Sequence, residues 1–298
     1  MSRILKKLLI LGATGMAGHV VYHYFKKKPE YIVYTACFRN KIDAESVIVN
    51  VRDELSVTKM IDTVNPDVVI NCIGVLIKGS KLSVENAIYI NSYFPHMLSR
   101  VLHDKKKTAK LIHISTDCVF SGNKGNYSDY DEKDALDIYG MSKNLGEVIN
   151  DHDVTIRTSI IGPELKDNGE GLFHWVFSQR INGSLNGYSK SIWGGVTTLE
   201  LARVIDFCLT NHIVGLYQAS NNLPITKYEL ITKIVKEFQL DLKVIKVDGI
   251  TCDKSIRNTL LEGCIYSIPD YSVMLADLHE FMIEHKELYK QYLGDENE

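Results

Sequence analysis

Nothing in this 298-residue chain marks a disulfide scaffold, a metal centre or a membrane span. Its six cysteines (Cys37, Cys72, Cys118, Cys208, Cys252 and Cys264) form no C-x-x-C pair, and Cys37 and Cys72 lie inside apolar runs, as reduced, buried thiols do. The ten histidines include no H-E-x-x-H; His113, within Leu-Ile-His-Ile, reads as a packed strand residue, and no metal is expected. The opening MSRILKKLLILGATG has too short an apolar run for a signal peptide, and no later stretch reaches membrane length. A cytoplasmic protein with no membrane partner is the expectation. An excess of one charge is also missing: the net charge is -3, which leaves no electrostatic footprint for nucleic acid. The runs Lys26-Lys27-Lys28 and Lys105-Lys106-Lys107 read as solvated ends of helices, matched to the helix dipole.

What is present is an alternation of short apolar runs with longer amphipathic stretches, the mark of βα units around a parallel sheet. Strands are expected at Leu8–Leu11, Tyr31–Phe38, Val47–Val51, Asp67–Ile73, Leu111–Ser115 and Val154–Arg157, with helices at Met16–Lys28, Glu54–Val64 and Val84–His103. The fold class is α/β: a Rossmann-type doubly wound parallel sheet with a smaller α/β substrate-binding lobe. Residues 1–162 form the NAD(P)-binding part. Beyond residue 162 the rhythm loosens and glycines cluster, so 163–195 and most of 220–298 are assigned to the lobe. Thr198–Thr210 as helix and Gly215–Ala219 as strand return the chain to the main sheet over 196–219. The tail GDENE should fray.

KLLILGATGMAG sets Gly12, Gly15 and Gly18 directly after a strand and at the mouth of a helix. Gly12 permits a tight turn, Gly15 lets the backbone approach a pyrophosphate and Gly18 allows close helix–sheet packing. The helix N-terminus supplies unpaired N–H groups, with Thr14, Met16 and Ala17 on the same loop. NAD enzymes of this fold carry an acid at the end of the second strand; here the strand YIVYTACF is followed by Arg39-Asn40, with no acid before Asp43. A guanidinium there pairs with a 2'-phosphate, so NADPH is the expected cofactor and NADH the alternative.

DIYGMSKNLGE presents Tyr139 and Lys143 one helical turn apart. Spacing alone does not distinguish them, because Tyr22/Lys26 and Tyr24/Lys28 share it. Those pairs sit on the first helix behind the glycine loop. Tyr139 begins a helix after the loop that leaves KLIHIS, which places it and Thr116 at the carboxyl edge of the sheet. A phenol with a pKa near 10 is a poor acid at neutral pH unless a cation such as Lys143 stabilises its phenolate. Tyr139 would then protonate a carbonyl oxygen that the Thr116 hydroxyl polarises.

GATGMAG (12–18), NCIG (71–74), Asn91, STDCVFSG (115–122), YGMSK (139–143) and RTSIIG (157–162) together resemble the extended short-chain dehydrogenase/reductases, within them the dTDP-4-dehydrorhamnose reductase group. GGVTTLELA (194–202) and GLYQASN (215–221) are weaker echoes. The resemblance implies a Rossmann domain with a sugar-nucleotide lobe, reducing the 4-keto group of a nucleotide-linked 6-deoxyhexose with NAD(P)H. It implies Thr116, Tyr139 and Lys143 as the catalytic set, Lys143 also gripping the nicotinamide ribose. Asn50 and Val51 would meet the adenine, Cys72, Ile73 and Gly74 would lie beneath the cofactor, and Val75, Asp117, Cys118 and Trp193 would face the substrate. For Trp193, filling a core is the slightly favoured alternative to stacking on a base.

Two departures stand out. Asn50 replaces a commoner aspartate, and Cys118 stands where such reductases often have tyrosine, which makes a UDP-linked 2-acetamido sugar a rival substrate. Dehydratases of this fold carry Thr-Asp-Glu, and Cys118 occupies the Glu position, which disfavours elimination of water. An epimerase or epimerase-reductase is the next alternative. A non-catalytic regulatory subunit of methionine adenosyltransferase is the third. A homodimer is a candidate state, since dimers are common among symmetric soluble enzymes.

Overall fold

In chain order the computed structural model, which describes residues 5–259 and 266–294, begins with β1 (Lys6–Leu11), α1 (Met16–Lys26), β2 (Tyr31–Cys37), β3 (Val47–Ile48), α2 (Glu54–Val64) and β4 (Val68–Asn71). Two short helices follow, α3 (Ile77–Leu82) and α4 (Val84–Ala87). A π-helical turn (Ile88–Tyr93) then leads into α5 (Phe94–Lys105), β5 (Lys110–Ser115), α6 (Ile138–Leu145) and β6 (Val154–Arg157). Cys264 and residues 295–298 of the tail lie outside the described residues.

The remaining elements are β7 (Ile160–Ile161), α7 (Leu172–Ser178), β8 (Ser184–Tyr188), β9 (Ser191–Trp193), β10 (Val196–Thr197), α8 (Thr198–Thr210) and β11 (Gly215–Gln218). β12 (Ile225–Thr226), α9 (Lys227–Glu237), β13 (Lys243–Val247), β14 (Cys252–Asp253), α10 (Tyr271–Glu284) and α11 (Lys290–Leu293) complete the chain. The main sheet is parallel in the order β11-β6-β5-β4-β1-β2-β3. The winding direction reverses between β1 and β4, and the carboxyl ends of those strands open the crevice where ligands bind in such sheets. Three small sheets, β10-β7, β12-β9-β14 and β13-β8, lie outside it.

Helices on both faces explain why the strands read as unbroken apolar runs. Leu8 and Ile10 point into one core with Val20, Phe25 and Val204, while Leu9 and Leu11 point into the other with Val57, Met60 and Leu98. The first core continues through Leu230 and Ile234 of α9 into Met274 and Leu278 of α10, so one apolar interior joins the main sheet to the later helices. Among the described residues no helix is long and apolar enough to cross a membrane.

Candidate active site

The glycine turn is tight because it must be. Gly12 has φ +76°, a conformation glycine adopts without strain, and its carbonyl accepts from Gly15 N at 2.9 Å. A Cβ on Gly18 would overlap the Gly12 carbonyl. Gly15 caps α1 without a side-chain hydrogen bond, and the first turn carries no acid. The open N–H groups and the positive end of the helix therefore face the crevice, as a pyrophosphate requires. The residues at this turn fit a dinucleotide.

A cleft of about 480 Å³ runs from Gly15, Met16 and Ala17 past Cys72, Ile73 and Gly74 to Thr116, Asp117, Cys118, Tyr139 and Lys143. Asp137 caps α6 by accepting from Gly140 N at 3.0 Å, which starts the helix at the sheet edge and presents Tyr139 on its first turn. Tyr139 and Thr116 both line this cleft. Thr116 also donates to Asp117 Oδ1 at 3.1 Å and accepts from Cys118 N at 3.1 Å. The control pairs behave differently: Tyr22 donates to Asp43 at 2.7 Å and Tyr24 to Asp206 at 3.0 Å, both away from the cleft.

One expectation changes. Burial pushes the Tyr139 phenol above its ordinary value; Cys118, Asp117 and Asp137 act in the same direction, and the Thr116 hydrogen bond opposes them. Lys143 does not make the phenol acidic here, because its buried ammonium donates to the Ile114 carbonyl at 2.6 Å. Burial instead lowers Lys143 to about 8, with Glu147 and Cys72 drawing it back up. Tyr139 thus stays protonated at neutral pH, the form a proton donor needs. Burial also pushes the Cys118 thiol up to about 12, so it lines the cleft as a neutral group.

Other expected residues fall at varying distances from this centre. Thr14 is exposed on the glycine turn, and Asn50 is exposed beyond β3, accepting from Arg52 N at 3.1 Å, with half-buried Val51 beside it. Arg39 is exposed at the end of β2, its guanidinium 5.1 Å from the Phe38 ring centre. Val75 is held by Asn91, which accepts from its N–H at 2.8 Å and donates to its carbonyl at 2.9 Å. Asn91 also reaches Ser142 Oγ at 3.1 Å, so the π-helical turn ties the β4 loop to α6.

Trp193 is not in the cleft. It is 5% exposed, packs near Tyr271 with ring centres 5.5 Å apart, and donates to Ser159 Oγ at 2.8 Å. The filled-core alternative holds because β9 turns the indole inward.

Sequence reasoning missed the far wall of the cleft: Thr158, Ser159 and Ile160, then Glu164, Lys166, Glu170 and Gly171. RTSIIG signalled the start of this wall. Glu164 to Gly171 carried no periodic signal. Glu164 is 2% exposed and accepts from Gly171 N at 2.7 Å.

A parallel sheet with a glycine turn at its reversal point and a Tyr-x-x-x-Lys helix at the same edge defines the extended short-chain dehydrogenase/reductase fold. The chain belongs to the RmlD substrate binding domain family, whose model matches residues 6–258. It is 27% identical over 253 residues to the spore coat polysaccharide biosynthesis protein SpsK of Bacillus subtilis, covering 81% of this chain and 82% of that protein. It is 24% identical over 253 residues to methionine adenosyltransferase 2 subunit beta of Xenopus tropicalis, covering 79% and 73%. The dTDP-4-dehydrorhamnose reductase of Bacillus anthracis, solved in complex with NADP, shares the fold with a TM-score of 0.78 at 20% identity, covering 94% of this chain and 99% of that one.

Proposed function

We propose that this protein reduces the 4-keto group of a nucleotide-linked 4-keto-6-deoxyhexose with NADPH, supplying a precursor for surface polysaccharide. The observation that carries the reading is the convergence of Thr116, Tyr139 and Lys143 on the cleft that begins at the glycine turn. The polysaccharide role of the Bacillus subtilis relative and the NADP bound by the Bacillus anthracis reductase support it. The glycine turn and the α1 N-terminus would hold the pyrophosphate, Lys143 the nicotinamide ribose and Arg39 the 2'-phosphate. NADPH, when bound, supplies the hydride to C4.

The chain's own residues handle the oxygen. With substrate bound, the Thr116 hydroxyl would turn from Asp117 Oδ1 to the keto oxygen and polarise it, and Tyr139 would transfer its phenolic proton to that oxygen as charge develops there. The resulting phenolate takes a proton back from solvent, while the Lys143 ammonium, as a cation, would hold the nicotinamide ribose. Residues 163–195 and most of 220–298 supply the sugar-nucleotide lobe in this reading, with 196–219 belonging to the nucleotide-binding part.

Mixing the protein with NADPH and a panel of dTDP- and UDP-linked 4-keto-6-deoxyhexoses should consume the nicotinamide absorbance with at least one of them; no turnover with any would overturn the proposal. Similarity to methionine adenosyltransferase 2 subunit beta supports a second reading, in which the fold serves as a regulatory subunit. Stoichiometric capture of a protein partner whose activity is indifferent to Tyr139→Phe would favour it.

Two further results are expected. Because Lys143 titrates at about 8 while Tyr139 stays protonated well above that, kcat/KM should fall about tenfold per pH unit above pH 8. A profile flat to about pH 10 would remove Lys143 from this role. Charge-assisted hydrogen bonds contribute about 1.5–3 kcal/mol, so Arg39→Ala should raise the KM for NADPH by about ten- to a hundredfold and leave that for NADH unchanged. Equal effects on both cofactors would show that Arg39 does not read the 2'-phosphate.

A further inference from the structure

His19 lies on the first turns of α1, fully buried, and both its ring nitrogens are engaged. Nδ1 is 2.8 Å from the Gly15 carbonyl, which can only accept, so Nδ1 carries the proton. Nε2 is therefore the acceptor, and the buried Tyr289 hydroxyl donates to it at 2.9 Å. Burial lowers His19 to about 4, which keeps this neutral tautomer at physiological pH. The Gly15 carbonyl also accepts from His19 N at 3.2 Å. The peptide joining Gly15 to Met16 is planar and trans, so fixing its carbonyl also fixes the Met16 N–H at its other end, at the helix mouth that lines the cleft. A doubly bonded carbonyl also polarises that N–H.

Three residues after Tyr289, the Tyr292 hydroxyl accepts from Glu164 N at 2.9 Å and donates to Glu164 O at 3.2 Å, with His174 Nδ1 at 2.9 Å. Gln291 donates to the same Glu164 carbonyl at 2.7 Å. Glu164 in turn holds Gly171, against which the end of the Met16 side chain packs. A short C-terminal stretch thus grips the glycine turn on one side of the cleft and its far wall on the other.

We infer that residues 289–292 form a clasp that sets the cofactor side of the cleft, with His19, Tyr289 and Tyr292 as positioning residues for NADPH. The inference rests on the NADPH reading above. No position in the clasp touches the reacting oxygen, so its effect falls on cofactor affinity and not on the chemical step.

The test is direct titration of NADPH, without sugar, into the wild type and the Tyr289→Phe, Tyr292→Phe, His19→Phe and His19→Asn variants, with melting temperatures recorded alongside. One neutral hydrogen bond corresponds to about a three- to tenfold change in affinity. Tyr289→Phe, Tyr292→Phe and His19→Phe should each weaken NADPH by that factor. His19→Asn keeps a donor at the Nδ1 position and should recover most of the loss. Where turnover is measured, KM for NADPH should rise while kcat at saturation holds. Unchanged NADPH affinity in the Phe variants overturns the clasp even if their melting temperatures fall, because a merely structural role would lower stability alone; so does His19→Asn binding no better than His19→Phe. Failure of the wild type itself to bind NADPH would instead overturn the cofactor reading.

Discussion

Replacing Tyr139 with Phe should lower kcat by about 10²- to 10⁴-fold while leaving NADPH affinity and melting temperature close to those of the parent. The ring stays on the first turn of α6 and still covers the cleft, so only the hydroxyl and its proton are lost. Cys118 is a poor substitute, because burial pushes its thiol up to about 12. Thr116→Val should cost less, because it removes polarisation and leaves the proton source in place. Steady-state kinetics of the two variants check this order, and a Phe variant reducing substrate within a few-fold of the parent would contradict the assigned proton donor.

The second large effect lies beneath the site. Arg157 is fully buried at the end of β6 and makes two bonds to Glu147, Nε to Oε1 at 2.9 Å and Nη2 to Oε2 at 2.7 Å. Its third bond reaches Gln218 of β11 at 2.9 Å, and the guanidinium sits 5.0 Å from the Phe120 ring centre. Glu147 also accepts from Ser115, the residue before Thr116, at 2.8 Å. The pair therefore joins β5, β6 and β11 where the loop carrying Thr116 departs.

Glu147→Ala would leave a guanidinium in the interior without its counter-charge, at a cost of about 3–5 kcal/mol. Removing both charges, as in Glu147→Leu with Arg157→Met, should restore much of the stability, because well-packed apolar residues replace such pairs at little cost. Denaturant unfolding of the single and double variants measures both. A Glu147→Ala protein as stable as the parent would mean that the pair carries no such weight.

The parts of the fold that show in the sequence are those whose neighbours are local or whose environment is uniform. Strands covered on both faces must be apolar throughout, and the runs at Leu8–Leu11 and Val68–Ile70 follow from that requirement. The glycine turn is legible because Gly12 needs its backbone angle and Gly18 its missing side chain. Tyr139 and Lys143 share one helix, so a single turn of spacing brings them to the same place.

What did not show depends on distant partners. The outer strands β9, β12 and β14 are two or three residues long and pair across gaps of about thirty to sixty residues, too short for any periodicity to register. The expected helix over Val84–His103 contains a π-helical turn, and Asn91 within it bridges the β4 loop and α6, which only the fold brings together. Glu164 and His19 owe their places to tyrosines more than a hundred residues away. Lys143 was expected to acidify Tyr139, yet a backbone carbonyl of β5 captures its ammonium.

The most direct measurement of the central claim follows the label from NADPH deuterated at the transferred position of C4 into a 4-keto-6-deoxyhexose nucleotide, read by mass spectrometry of the sugar product. The account predicts a reduced nucleotide sugar heavier by one deuterium, formed by the parent and nearly absent with Tyr139→Phe. Product that carries no deuterium, or equal product from both proteins, would contradict it.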